Sequence, residues 1–304
     1  MGHVYPSYRY EVSREKVREY ALATGVTDPA CSAETGDVVA PPTFAACFTV
    51  TRGGGGMFAD PELGAHPNLV HGSQSYAFHR PVRVGDVLEC RPRIADIQVR
   101  GRMDLLTLEI ECVNADGGEP VVTSRGTIIF FNSDPPATAP PSPSPADPHP
   151  PATAPPSRSP GRAERMPRLH EVEVGTRIPP VQQTLDQAQL IAYAGASGDL
   201  NPLHWEPEFA ARVSPTGRII AHGMLNMGIV SRVVTEWAGG PEKVASLEAS
   251  FRAPCPVGAT VTFGGEVIEL DEAGRTATVA VWAELDDGSK VVDRRSSRAV
   301  VRLE

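Results

Sequence analysis

With 304 residues, a formal net charge of −9, and 41% hydrophobic and 21% charged residues, the chain has the composition of a soluble globular protein with room for two domains of roughly 100–200 residues. Its acidic balance argues against nucleic-acid binding, and no apolar run approaches the ~18 residues of a membrane span. The polar start, MGHVYPSYRYEVSREK, has no apolar signal core, which predicts a cytoplasmic protein with no membrane partner.

Taken in chain order, Ser13 is a candidate helix N-cap, and Val17, Tyr20 and Ala21 recur at helical spacing behind it. Pro41 and Pro42 open an apolar helical segment that runs through Val50 and ends at the glycine run 53–56. That run lacks the Lys-Ser/Thr of a phosphate loop and reads as flexible connection. Strands are expected over 76–81, 86–99, 103–115 and 120–131, where apolar and polar residues alternate between turn signals.

From Asp134 to Pro160 the composition changes, with 12 prolines in 27 residues and the octamer PPATAPPS present twice. Proline has no amide proton for helix or sheet, so 133–165 reads as an extended or disordered linker between domains spanning 1–132 and 166–304.

Beyond it, Thr184 with Gln187 has the form of a capping box, followed by Ile191 and Ala194 on one helical face. Next comes Gly198 to His204, GDLNPLH. This places a carboxylate and an imidazole five residues apart across a turn, a ready acid/base couple if Asp199 and His204 share a pocket, or an ordinary surface turn if they do not. The long apolar stretch from His222 to Ala238, closed by Gly239 and Gly240, predicts a buried central helix. Strands follow over 246–253, 259–270, 275–285 and 289–303.

The two halves read as a duplication. Shifting the first by 173 positions places Tyr20, Gly25, Pro29, Phe78, Pro81, Val84 and Gly85 on Tyr193, Gly198, Pro202, Phe251, Pro254, Val257 and Gly258. Under that shift Val26 stands for Asp199 and Cys31 for His204. A shift of 181 aligns APPT with AHGM, so that Pro42, which has no amide proton, stands for Gly223. The first half therefore lacks the acid/base pair, and one active site per chain is expected.

Other features carry less. The five cysteines (Cys31, Cys47, Cys90, Cys112, Cys255) show no CxxC spacing and none sits beside a histidine in a recognisable motif, which argues against a disulfide framework, a zinc site and a catalytic thiol. Arg80, Arg83, Arg91 and Arg93, and Arg294, Arg295 and Arg298, read either as solvent faces of strands or as contacts for phosphates or an acidic carrier.

Tyr193, the GDLNPLH box and Ala221-His222-Gly223-Met224 together resemble the MaoC-like, hydratase 2 family. YRYEVSREKVREYA and APPTF extend the resemblance to a fusion of the two subunits of the mycobacterial-type (3R)-hydroxyacyl-ACP dehydratase. The resemblance implies an α+β double hotdog, two curved antiparallel sheets each wrapped around a central helix, with a non-catalytic first half.

It also implies reversible dehydration of (3R)-hydroxyacyl thioesters to trans-2-enoyl thioesters, with acyl-CoA or an acyl carrier protein as partner and no metal or other cofactor. Asp199 and His204 would be catalytic, with Gly223 as thioester-oxygen donor. Ser231 would either bond the active-site pair or its own backbone, Asn201 either touch substrate or hold the turn, and His222 either titrate or fix the loop. An acyl-thioester binding scaffold and a hotdog thioesterase are the competing classes. The halves can pair within one chain or between chains, and a higher oligomer is compatible with either.

Overall fold

A computed structural model describes residues 2–52, 56, 57, 59–61, 63, 69–131 and 169–304. The proline-rich segment 133–165 and most of the glycine run 53–56 lie outside the described residues. No helix among the described residues is long and apolar enough to cross a membrane.

The first half runs β1 (Tyr8–Glu11), α1 (Arg14–Thr24), α2 (Pro29–Ser32), a 3₁₀ turn (Pro42–Ala45), α3 (Ala46–Thr49), then β2 (Leu69–Phe78), β3 (Val87–Arg100), β4 (Met103–Asn114) and β5 (Pro120–Phe131). The second half repeats the plan with β6 (Arg177–Thr184), α4 (Gln187–Ser197), a 3₁₀ turn (Pro202–His204), α5 (Pro207–Val213), α6 (Gly223–Ala238), β7 (Val244–Ser250), β8 (Thr260–Asp271), β9 (Thr276–Leu285), β10 (Lys290–Val292) and β11 (Arg298–Arg302).

Strand order in the sheet is β1-β3-β4-β5-β2-β7-β11-β9-β8-β6, with β10 on β9. The halves are joined by an antiparallel seam between β2 and β7, in register from Ser73↔Ser250 to Ala77↔Ser246. The α+β double hotdog follows: each half contributes an antiparallel sheet with a helical element on its concave side, and the seam makes the sheets continuous.

Backbone hydrogen bonds reproduce both shifts. Gly85 N–H donates to Val12 O (2.9 Å) as Gly258 donates to Leu185 (2.7 Å), a displacement of 173 at both ends. Ala40 N–H donates to Val82 O (2.9 Å) as Ala221 donates to Cys255 (2.7 Å), where the donors differ by 181 and the acceptors by 173. The second half thus carries extra chain between the two boxes, and α5 occupies it. Tyr20 and Tyr193, equivalent under the shift, meet at the centre with hydroxyls 3.5 Å apart.

Local chemistry explains the element ends. Ser13 Oγ accepts from Lys16 N–H at the start of α1. The corresponding cap of α4 is Asp186, whose carboxylate accepts from Gln189 N–H at 2.8 Å. Thr184, expected in that role, is the last residue of β6, with its hydroxyl 2.9 Å from that of Thr260. Ser13 and Asp186 are themselves 173 apart. α1 and α4 both end on glycines in the left-handed conformation, Gly25 (φ 72°) and Gly198 (φ 81°), where a side chain would be strained.

α6 is buried on nearly every face, with Leu225, Met227 and Ile229 fully enclosed, each contributing about 1.5–3 kcal/mol of burial. Its counterpart in the first half is shorter than the expected 41–50 helix: a 3₁₀ turn followed by a single α turn. Strand 289–303 is interrupted between β10 and β11, where Asp293 accepts from Arg295 N–H and Ser296 Oγ to make a turn. β2 begins at Leu69, seven residues earlier than expected.

All five cysteines are buried free thiols. Burial alone pushes Cys255 up to about 12, and burial likewise dominates at Cys47, also at about 12, so neither is a thiolate near neutral pH. Most of the singled-out arginines already face carboxylates: Arg80 on Asp86 (2.9 Å), Arg83 on Asp37, Arg91 on Glu89 (3.0 Å), Arg93 on Glu109 and Arg294 on Glu266 (2.8 Å).

Candidate active site

The GDLNPLH segment leaves α4 through Gly198 and folds back on itself. Asp199 N–H donates to Ser197 Oγ (3.2 Å), and its carboxylate accepts from Asn201 N–H (3.3 Å). Asn201 is exposed; its side-chain oxygen accepts from Leu203 N–H (3.1 Å) and caps the 3₁₀ turn ending at His204. Asn201 therefore holds the turn. Trp205 braces it from outside, donating from its indole nitrogen to the Leu200 carbonyl at 3.1 Å.

His204 is 9% exposed, and its Nδ1 lies 2.7 Å from the Ile220 carbonyl. A carbonyl only accepts, so Nδ1 carries the proton and the neutral ring presents Nε2 as a lone pair. His222 is 1% exposed and donates from Nε2 to the Asp199 carbonyl at 3.2 Å, tying AHGM to the turn. The two imidazoles stack, with centroids 3.7 Å apart and planes 30° from parallel, and Tyr193 packs on His222 at 5.0 Å.

Burial drives the electrostatics. It holds His204 below the usual imidazole range, against the opposing pull of Asp199. His222 is pushed down to about 3 by burial first and by His204 second. Burial thus favours the neutral ring in both, and the bond from His222 to the Asp199 carbonyl ties the two segments together.

Asp199, His204 and His222 can each offer a ligand atom, all within 4.8 Å of one another. Lone pairs lie in the ring planes, however, and two stacked rings direct them along nearly parallel planes. The set is poorly shaped to converge on one tetrahedral ion.

Gly223 is the first residue of α6, and no side chain caps that turn, so its amide is one of the donors a helix N-terminus leaves without an intrahelical partner. The Phe251 ring covers it closely: a Cβ at Gly223 would stand 3.3 Å from the ring. Ser231 Oγ is buried with no hydrogen-bond partner among the described residues, bonding neither the Asp-His pair nor its own backbone.

The first half fills the equivalent positions differently. Val26 and Cys31 are buried with Ala21 in a small apolar cluster, and Pro42 lies with Phe78, Val82 and Val244 around a cavity of about 10 Å³. Asp199 with His204, the Gly223 amide and the His222 tie occur together in one half.

One residue of the site region carries no local signal. His71, in β2 of the first half, packs its ring on Phe251 (centroids 5.2 Å, 66°), and the charge of Asp199 acts on it. The trace it leaves in the sequence is a mismatch under the shift of 173, where its counterpart is Val244.

The profile described as FAS1-like, dehydratase domain region, matches residues 1–124, and that of the MaoC like domain matches residues 170–287. A UPF0336 protein of Saccharopolyspora erythraea is 38% identical over 138 residues, 42% of this chain and 87% of the relative. The peroxisomal enoyl-CoA hydratase 2 of Arabidopsis thaliana is 26% identical over 296 residues, 88% of this chain and 84% of the relative. A solved MaoC-like dehydratase superposes with a TM-score of 0.80 at 28% identity, covering 98% of each chain.

Proposed function

The chain belongs to the MaoC-like double-hotdog family, and on that premise we propose that it interconverts (3R)-hydroxyacyl and trans-2-enoyl thioesters carried by CoA or an acyl carrier protein. The observation that carries this reading is the joint presence of Asp199, His204 and the Gly223 amide in one half, against Val26, Cys31 and Pro42 in the other.

In hydration, one proton of a water held between the pair passes to the Asp199 carboxylate while the water oxygen bonds to the β-carbon. His204 Nε2 holds the other hydrogen. The electrons of the double bond move toward the thioester oxygen, where the Gly223 amide at the positive end of α6 stabilises the developing charge by about 3 kcal/mol. The proton taken by Asp199 is then delivered to the α-carbon with His204 assisting. One water is added, and both side chains return to their starting states. Dehydration runs the same steps backwards.

The chemistry draws on these side chains without a metal or other cofactor. The first half shapes the acyl pocket, and the two halves pair within one chain. The test is hydration of crotonyl thioesters of CoA and of acyl carrier protein by the wild type, Asp199→Asn and His204→Gln. Both variants should fold and lose at least about 100-fold in kcat; wild-type turnover in either removes the assignment. Release of free thiol by the wild type would point to a thioesterase instead.

A further inference from the structure

The pseudo-twofold arrangement builds two sites, and each draws its wall from the opposite half. At the site of the second half, Gly223 is covered by Phe251 and Phe251 by His71 of β2. At the equivalent place in the first half, Pro42 lies with Phe78 and with Val244 of β7 around the small apolar cavity. These are the same three positions, since Phe78 and Phe251, like His71 and Val244, are 173 apart.

Polar character therefore segregates across the seam. The site with the acid/base pair receives a histidine from the other half, and the site that has lost the pair receives a valine. Because Val244 is accommodated at 3% exposure, the fold has no need of a polar residue at that place.

The pairing of β2 with β5 shifts register between His71 and Ser73, a bulge that β7 repeats between Val244 and Ser246 against β11. The intervening Gly72 carbonyl accepts from Phe251 N–H at 2.9 Å, which anchors the bulge beside the ring over Gly223.

His71 Nε2 is buried over Gly126 beside Gln74 Oε1, and although the ring is drawn to the Ser73 backbone and the Gln74 side chain, Nε2 makes no hydrogen bond of ordinary geometry among the described residues. A buried polar atom left unsatisfied is destabilising. Retaining one where an apolar residue fits calls for a ligand that satisfies it.

We infer that His71, supplied by the half without the acid/base pair, is a substrate-binding residue of the second half's site, its Nε2 hydrogen-bonding a polar group of the acyl thioester lying over Gly223 and Phe251. The inference rests on the proposed hydratase reading for the identity of the ligand.

The test compares the wild type with His71→Phe, which keeps a ring on Phe251, His71→Gln, whose amide reaches the place of Nε2, and His71→Asn, which falls short of it. Binding of the unreactive butyryl thioesters of CoA and of acyl carrier protein is measured for each alongside crotonyl hydration and thermal midpoint. His71→Phe should weaken binding at least tenfold and raise KM with a smaller change in kcat, while His71→Gln stays within about threefold of wild type.

Wild-type binding and KM in His71→Phe would overturn the inference, as would equal weakening in His71→Phe and His71→Gln. If His71→Phe does not fold, His71→Gln and His71→Asn decide: weakening in Asn alone supports the contact, and equal behaviour of the two overturns it. Absence of water addition by the wild type would sink the hydratase reading, while the binding series still reports on His71.

Discussion

Arg232 and Gly25 meet across 207 positions of sequence. The guanidinium, 2% exposed in the middle of α6, donates from Nη1 to the Gly25 carbonyl at 3.2 Å and to Thr24 at 3.3 Å, and from Nη2 to Gln183 at 3.1 Å. A cation at the C-terminus of α1 also complements that helix's dipole. The central helix of one half thereby ends a helix of the other. Arg232→Met should lower unfolding free energy by about 3 kcal/mol, read as a denaturant midpoint shift. Arg232→Lys should recover little, because an ammonium does not reproduce the planar fork.

The two left-handed glycines should respond unequally. A Cβ at Gly198 has Thr51 Oγ1 as its nearest neighbour, at 3.7 Å, so Gly198→Ala meets only the conformational strain of about 1–2 kcal/mol. A Cβ at Gly25 would fall 2.1 Å from Arg232 Nη1, so Gly25→Ala should cost roughly 3 kcal/mol or more. In an Arg232→Met background the penalty at Gly25 should fall to that at Gly198. Chemical denaturation of the four variants checks this, and simple additivity would contradict it.

Stability should fall with acid through the buried histidines His204 and His222, with His71, also held down by burial, adding to the same trend. Their folded pKa values lie below the unfolded value of about 6.5, so as pH drops beneath 6.5 the unfolded chain binds protons that the native state refuses. For His222 the window extends down to about 3. The loss is at most about 1.4 kcal/mol per histidine for each pH unit within the window. Denaturant midpoints at pH 7 and pH 5 should therefore differ more in the wild type than in His222→Phe; equal slopes would remove His222 as the source.

Gly223→Ala tests the helix N-terminus. Its Cβ would press on Phe251 at 3.3 Å, a contact the ring can relieve by moving a few tenths of an ångström, so stability should change by less than about 1 kcal/mol. On the proposed reading turnover should fall at least tenfold, because the added methyl narrows the space between the amide and the Phe251 ring that the thioester oxygen must enter. Phe251→Leu combined with Gly223→Ala should restore part of kcat; a cycle with no coupling would place the loss elsewhere.

The turns that carry Asp199, His204 and Gly223 were legible because turns are written locally. Gly-Asp, Asn-Pro and Ala-His-Gly mark backbone conformations within a few positions of themselves, and the glycines at 25 and 198 take the left-handed form that only glycine adopts readily. The cap of α4 was misread because Thr184 and Asp186 offer similar side-chain oxygens two residues apart. Strand pairing with β8 claimed Thr184 and left Asp186 to cap the helix. β1 and β6 escaped because each is a short outer strand whose partner lies far along the chain, and their composition does not announce it.

By itself the sequence determined the duplication, the absence of an Asp-His pair from one copy, and the turn that carries Asp199 and His204, since each depends on residues within a few positions or on comparison of one copy with the other. Only the tertiary structure decided what stands opposite them: His71 on Phe251, Arg232 on Gly25, and the stacked His204 and His222. Those contacts arise from a seam between strands about 170 residues apart and from burial that favours the neutral imidazoles. Neither pairing across a seam nor the dielectric around a side chain is encoded in the residues adjacent to it.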